Sequence, residues 1–369
     1  MLNSKHKAYI VASILFIALV LQLPASLLFK HGDMRDVFVF LLQIGVVLAL
    51  AAFIFNEANP WIGLFLAAAL VSSFYPKYSS YSLQALYMVI LGCIWYLIVV
   101  KWVEPGHINW LYNVMCVAVL LHMFFLILQY NNIDPLHGGK MSVMGHTEDV
   151  TTGILCNQNL ASAFIAFGFP LFLRRYWVLI TPLLIFGFIA TLTTGGVVSV
   201  LAGLIFYVCV RSKKAWHVFV TITFSVVATG LFIKFAHFPS ASQRWDVWMK
   251  AIIIHAQYPI MGMGLGQFKI VFSGLTEIPW EQLHNDILQG ICEMGVSFPI
   301  ILSGYLITTW ERFRKVSRQA IIPMTALVII LINSQVNFPW HVARTAFFMV
   351  TILAILEIQL RECSQIERA

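Results

Sequence analysis

The sequence has 369 residues, of which 60% are hydrophobic and 11% charged, and its mean hydropathy is +0.84. Soluble domains carry roughly 25% charged and about 45–50% apolar residues, so a water-soluble fold is excluded. The formal charge of +7 is scattered between apolar runs and forms no dense patch, which excludes nucleic-acid binding as its reason and leaves the cations as topology signals. Six cysteines, Cys93, Cys116, Cys156, Cys209, Cys292 and Cys363, show no paired spacing, so neither a disulfide framework nor a zinc site is indicated.

A bilayer core about 30 Å thick needs roughly 20 apolar residues per helix. Apolar runs fall at roughly 8–29, 37–55, 61–75, 82–100, 109–130, 157–173, 177–193, 196–210, 216–235, 290–310, 320–337 and 343–359. They predict an all-α, polytopic transmembrane bundle of about 12 helices, one domain over residues 1–369. The first run follows Lys5 and Lys7 as a signal peptide would, but it is too long and lacks a small-residue cleavage site, so it counts as the first span. Alternate connections hold Lys5, Lys7, Lys101, Arg174, Arg175, Arg211, Lys213, Lys214, Arg312, Arg314, Lys315, Arg318, Arg361 and Arg368. The positive-inside rule then puts both termini in the cytoplasm.

Two connections on the outer side are long, 131–156 and 236–289, and long loops are where function usually sits. In the larger one, Ser240 to His255 predicts a serine-capped helix with Trp245, Trp248, Met249, Ile252 and Ala256 on one face, lying in the membrane interface until Pro259 stops it. Arg244 near its start suits a phosphate, whose oxygens accept paired hydrogen bonds from a guanidinium; an ordinary solvated arginine is the competing reading. The following Pro259-Ile-Met-Gly-Met-Gly-Leu-Gly266 fits a phosphate-cradling turn or, since no strand precedes it and no Lys-Ser/Thr follows, a plain tight turn. His284, Asn285 and Asp286 fall at the mouth of the tenth span. An imidazole there can accept a proton from a hydroxyl, and Asn285 or Asp286 can orient a substrate; a structural histidine is the alternative. Glu293 falls inside the span, either facing the bundle as structure or serving as a proton site.

Four stretches in this order resemble the O-antigen ligase and polymerase family of bacterial inner membranes. They are Cys156-Asn-Gln-Asn-Leu-Ala-Ser162 with Pro170; Arg244-Trp245 through Trp248 to Gly266; His284-Asn-Asp-Ile-Leu-Gln289 with Glu293-Met-Gly295; and Asn333-Ser-Gln-Val-Asn-Phe-Pro339. They span about residues 150–340, and the third is the most specific. One departure stands out: the family's Thr-x-Ser-Arg at the end of the seventh span reads Leu192-Thr-Thr-Gly-Gly196 here, without the arginine.

The resemblance implies an enzyme that transfers a glycan from undecaprenyl pyrophosphate to a hydroxyl acceptor, a growing polysaccharide or lipid A-core, on the periplasmic face of the inner membrane. Arg244 and His284 would be its catalytic pair, stabilising developing pyrophosphate charge and accepting the hydroxyl's hydrogen bond or proton. Asn285, Asp286, Trp245, Trp248, Lys250, Lys269, Asn157, Asn159 and Arg344 are the candidate substrate-binding residues, with Arg344, Lys269 or Lys250 standing in for the absent arginine. Trp245, Trp248 and Trp280 stack on sugars or mark the interface. Asp246, Glu277, Glu281 and Asp286 share the loop without metal-ligand spacing, so inverting transfer with no metal and no cofactor is expected. Membrane lipids and other polysaccharide-assembly proteins are the further partners implied. A secondary transporter or lipid flippase is the rival, and it would be expected to show charged or broken helices near the bilayer midplane.

Overall fold

The computed structural model describes residues 59–74, 79–134, 140–142, 149–174, 177–212, 214–223, 225, 240–275, 282–316 and 318–366. The spans expected at 8–29 and 37–55, together with Glu277, Trp280 and Glu281, lie outside the described residues. Helices dominate: α1 (Pro60–Phe74), α2 (Ser79–Trp102), α3 (Ile108–Tyr130), α4 (Gln158–Phe172), α5 (Trp177–Thr191), α6 (Thr194–Arg211), α7 (Ser240–His255), α8 (Phe268–Leu275), α9 (Asp286–Met294), α10 (Ser297–Val316), α11 (Ile321–Asn333) and α12 (Ala343–Ile366). Between α3 and α4, strands β1 (Lys140–Ser142) and β2 (Asp149–Thr151) form a short antiparallel ladder that pairs Met141 with Val150.

Four of the described helices are long and apolar enough to cross a membrane: Tyr81–Trp102, Pro105–Tyr130, Thr194–Arg211 and Ala343–Glu362. Shorter apolar helices at Pro60–Ser73, Gln158–Phe172, Ile180–Thr191 and Ile321–Asn333 accompany them. Lipid tails are as apolar as leucine, so helices in such a bundle associate through close van der Waals packing at small residues. Gly203 of α6 illustrates this, since a Cβ there would lie 2.6 Å from Ile329 Cδ1 on α11. The main core continues through Phe164 and Phe167 of α4 to Phe348 and Ile352 of α12.

At one level of α12, Glu357 is buried and accepts from both terminal nitrogens of Arg312 on α10 and from Arg361 Nε at 2.7 Å. Asn59 Nδ2 adds a further donor at 3.4 Å. A buried carboxylate needs such saturation, because an unmatched charge costs several kcal/mol, on the order of 3–5, when one partner is removed.

The expected tenth span is broken. Gly295, at φ 63°, ends α9 before α10 begins at Ser297. Two close backbone approaches explain the break. Val296 N–H donates to Pro259 O at 3.1 Å, and a Cβ on Gly295 would lie 2.7 Å from Gly262 N. The Pro259–Gly266 turn is folded back against the end of α9 and occupies the place where a straight helix would continue. Glu293 accordingly sits in a helix of 9 residues, about 13.5 Å long at about 1.5 Å per residue, and not within a continuous span.

Candidate active site

Helix α9 starts where it does because Asn285 caps it, its side-chain oxygen accepting Leu288 N–H at 2.9 Å. Asp286 N–H donates to Ser334 O at 2.8 Å, which ties this helix start to the end of α11. His284, immediately before the cap, takes a left-handed φ of 54°, a costly conformation for a residue with a Cβ. That turn sets its ring edge-on to Phe338, with centroids 4.7 Å apart.

Helix α7 packs on α9 through Val247, Ala251 and Ile254, which join Met263, Phe268, Phe272, Leu283 and Cys292 in a separate small core. Trp248 Nε1–H donates to Leu283 O at 3.0 Å, so this tryptophan turns inward, whereas Trp245, Met249, Ile252 and Ala256 remain exposed. The single tryptophan face expected from the sequence is therefore divided. Sequence spacing cannot separate residues at the border between two faces, and Trp248 sits on that border.

Arg244 reaches from α7 to the segment after α11, donating from an Nη to Val336 O at 2.9 Å, while its Nε is buried without a hydrogen-bond partner. Burial pulls its guanidinium down from the ordinary arginine range. His284 is close enough to feel that charge: burial first, and Arg244 second, lower its pKa to about 4. Arg244 and His284, 40 residues apart in sequence, thus both reach the 336–338 segment. A neutral imidazole lies beside a cation with donor capacity to spare, an arrangement suited to an anionic group on one side and a hydroxyl on the other.

Beneath this pair lies a hydrogen-bonded row built from one face of α9, where Asp286, Gln289 and Glu293 recur at helical spacing and are all buried. Glu293 accepts Gly266 N–H at 2.9 Å and Gln289 Nε2–H at 3.0 Å. Asp286 accepts Trp340 N–H at 2.8 Å and meets His341 Nδ1 at 2.6 Å. Gln289 Oε1 accepts Leu283 N–H at 3.0 Å, which turns its amide nitrogen towards His341 Nε2 at 2.9 Å. The imidazole therefore donates from Nδ1 to Asp286 and accepts at Nε2. The glycine turn contributes backbone here: Gly266 N–H is spent on Glu293, and Ser72 and Ser82 hold Glu293 O and Leu265 O at 2.9 and 2.6 Å.

His341, in the short 3-10 turn Pro339–His341, was not anticipated from the sequence. The resemblance ran out at Pro339, two residues short of it, and its partner Asp286 lies 55 residues away.

The remaining candidates sit elsewhere. Asn157 caps α4, accepting Asn159 N–H at 2.9 Å and Leu160 N–H at 3.2 Å. Arg344 donates to Ile154 O, in a turn that Gln129 also grips by accepting Gly153 N–H at 2.7 Å. Lys250 and Lys269 are exposed. Where the family's arginine is absent, a Cβ on Gly195 would come within 3.0 Å of Val336 Cγ2. The guanidinium holding that segment is Arg244, and Arg344 is committed to Ile154.

No curated protein matches the chain. A family model described as O-antigen ligase matches residues 179–302, from α5 into α10, and so contains Arg244, the glycine turn, His284 and Glu293 but not Phe338 or His341. The match points to glycan transfer at a membrane. Residues 179–302 are similar to the O-antigen ligase family, and the resemblance read from the sequence is supported over that stretch.

Proposed function

We propose that the chain is a glycosyltransferase that moves a glycan from undecaprenyl pyrophosphate to a hydroxyl acceptor on the periplasmic side of a bacterial inner membrane. The acceptor is a growing polysaccharide or lipid A-core. About 12 spans with both termini cytoplasmic would place α7, the glycine turn and the start of α9 outside. The observation that carries this reading is that Arg244 and His284, both inside the family-matched stretch, reach the same 336–338 segment, one by a hydrogen bond to Val336 O and the other by its ring against Phe338.

The donor already holds a good leaving group, so the site needs little covalent chemistry. The acceptor oxygen attacks the anomeric carbon, the bond from that carbon to the pyrophosphate oxygen breaks, and its electron pair leaves with the pyrophosphate. Arg244 would receive the developing charge through the Nε donor that the protein does not use. His284, neutral because burial first and the Arg244 charge second disfavour the imidazolium, would accept a hydrogen bond from the attacking hydroxyl. Attack opposite the leaving group inverts the anomeric centre. Metal-independent transfer belongs to this reading, with Asp286 and Glu293 held by protein donors. Exposed Trp245 would lie at headgroup depth or against sugar rings, and the apolar helices would line a groove for the polyprenyl tail.

Transfer of lipid-linked glycan in membranes, compared between wild type, Arg244→Ala and His284→Ala at matched expression, tests this. A loss of about 10²–10³-fold in Arg244→Ala, as for removal of one donor to a developing oxyanion, is expected, with a clear loss in His284→Ala as well. The accumulated intermediate then separates polymerase from ligase: single lipid-linked repeats mark the first, long unligated chains the second. Full activity in both variants would overturn the site and reopen the transporter reading.

A further inference from the structure

We propose that His341, held by Asp286, is a second acid–base residue of this site and receives at Nε2 the proton of the attacking hydroxyl. The inference rests on the glycan-transfer reading and assigns the proton a destination within it.

His284 can accept a hydrogen bond, but a proton resting on it would sit beside Arg244. His341 faces the opposite field. Asp286 and Glu293 from α9 are the charged groups turned towards it, and Arg344, three residues further on, is turned away to Ile154 O. Burial alone would lower the His341 pKa, but the charge and hydrogen bond of Asp286, with Glu293 behind, outweigh it and raise the pKa above 6.5. Geometry agrees with electrostatics. The Asp286 side chain is 3% exposed and that of His341 26%, so a buried carboxylate orients an imidazole that reaches the surface. Both histidines are carried by the same two segments: 284–289 holds His284 and the Asp286–Gln289 pair, and 338–341 holds Phe338 against one ring and supplies the other.

At rest, Gln289 Nε2–H occupies His341 Nε2. When the hydroxyl attacks, its O–H bond breaks, the oxygen's electrons form the new bond to the anomeric carbon, and the proton passes to Nε2 as the Gln289 amide lets go. Gln289 keeps its bonds to Leu283 N–H and Glu293, so nothing else need move. The imidazolium is then paired with Asp286. Asp286 is a positioning residue, because it acts only through His341.

Two measurements test this. First, the purified full-length chain is treated with diethyl pyrocarbonate, which acylates neutral imidazole nitrogen, and modification of His341 is read by peptide mass spectrometry from about pH 5 to about pH 9. The expected midpoint lies above the ordinary value of about 6.5 and falls in Asp286→Asn. A midpoint unchanged by Asp286→Asn, or no modification of His341 at any pH, overturns the dyad. Second, transfer in membranes is followed against pH in wild type and His341→Asn, whose amide can keep the donor towards Asp286 but cannot take a proton. A fall in kcat of about 10²–10⁴-fold with little change in KM, and loss of the acidic limb of the profile, are expected. Wild-type kcat and an unchanged acidic limb in His341→Asn overturn the proposal while leaving glycan transfer standing. A wild-type chain that transfers nothing overturns glycan transfer, and the proton's role with it, even if the dyad titrates as described.

Discussion

Two buried carboxylate clusters in this protein are built to opposite rules. Glu357 faces two guanidiniums, those of Arg312 and Arg361, plus an amide, and none of these partners changes charge near neutral pH. Asp286 and Glu293 instead face backbone N–H groups, Gln289 and a histidine, while Arg244 on α7 is committed to a carbonyl and holds an unused donor. Along α12 the two clusters lie about 21–24 Å apart, judging by 14–16 residues between its start after His341 and Glu357 at about 1.5 Å each. The difference teaches what each is for. Fixed opposite charges at full valence tie helices together and do nothing further. A titratable partner and a spare cationic donor are poor ways to lock a fold, but they can respond to a ligand.

That contrast can be broken at its rigid end first. Glu357→Ala leaves the half-buried guanidiniums of Arg312 and Arg361 unmatched and is expected to destabilise the chain by up to about 3–5 kcal/mol, read as a lowered melting temperature in detergent. A smaller effect is expected where the responsive region meets the bundle. Gly295→Ala puts a side chain at φ 63° and against Gly262 N, costing about 1–3 kcal/mol and loosening the Pro259–Gly266 turn, which protease sensitivity would report.

A third effect is one of pH. With its pKa lowered to about 4 in the folded chain and about 6.5 when unfolded, His284 takes up a proton on unfolding at any pH between those values. Its contribution is fully present above about pH 6.5 and is lost progressively as pH falls towards 4. His284→Gln is therefore expected to flatten the pH dependence of melting across that window, and an unchanged slope would show that His284 is not buried beside Arg244 in solution.

Much of the bundle was legible, because a span is announced by composition: the helices at 60–74, 108–130, 158–172 and 177–191 begin and end within about two residues of the apolar runs. The break at Gly295 was not. A glycine in an apolar run reads like any other in a membrane helix, and its reason lies 33 residues earlier, in a turn that folds back against it. Within the site, Arg244 and His284 stood out through the motif, whereas Asn285 and Asn157, expected to bind substrate, have their side-chain oxygens engaged in capping α9 and α4. His341 was hidden because nothing local marks it: its meaning comes from Asp286 and Gln289, which only the folded chain brings to it.

The most direct test of the account sets the two clusters against each other in one experiment. Arg244→Ala and Arg312→Ala are compared with wild type for melting temperature and for glycan transfer per molecule of folded protein in membranes. Arg312→Ala is expected to melt early yet transfer at close to the wild-type rate while folded, and Arg244→Ala to melt almost as wild type yet to have lost transfer. Transfer retained in Arg244→Ala, or lost in folded Arg312→Ala, would contradict it.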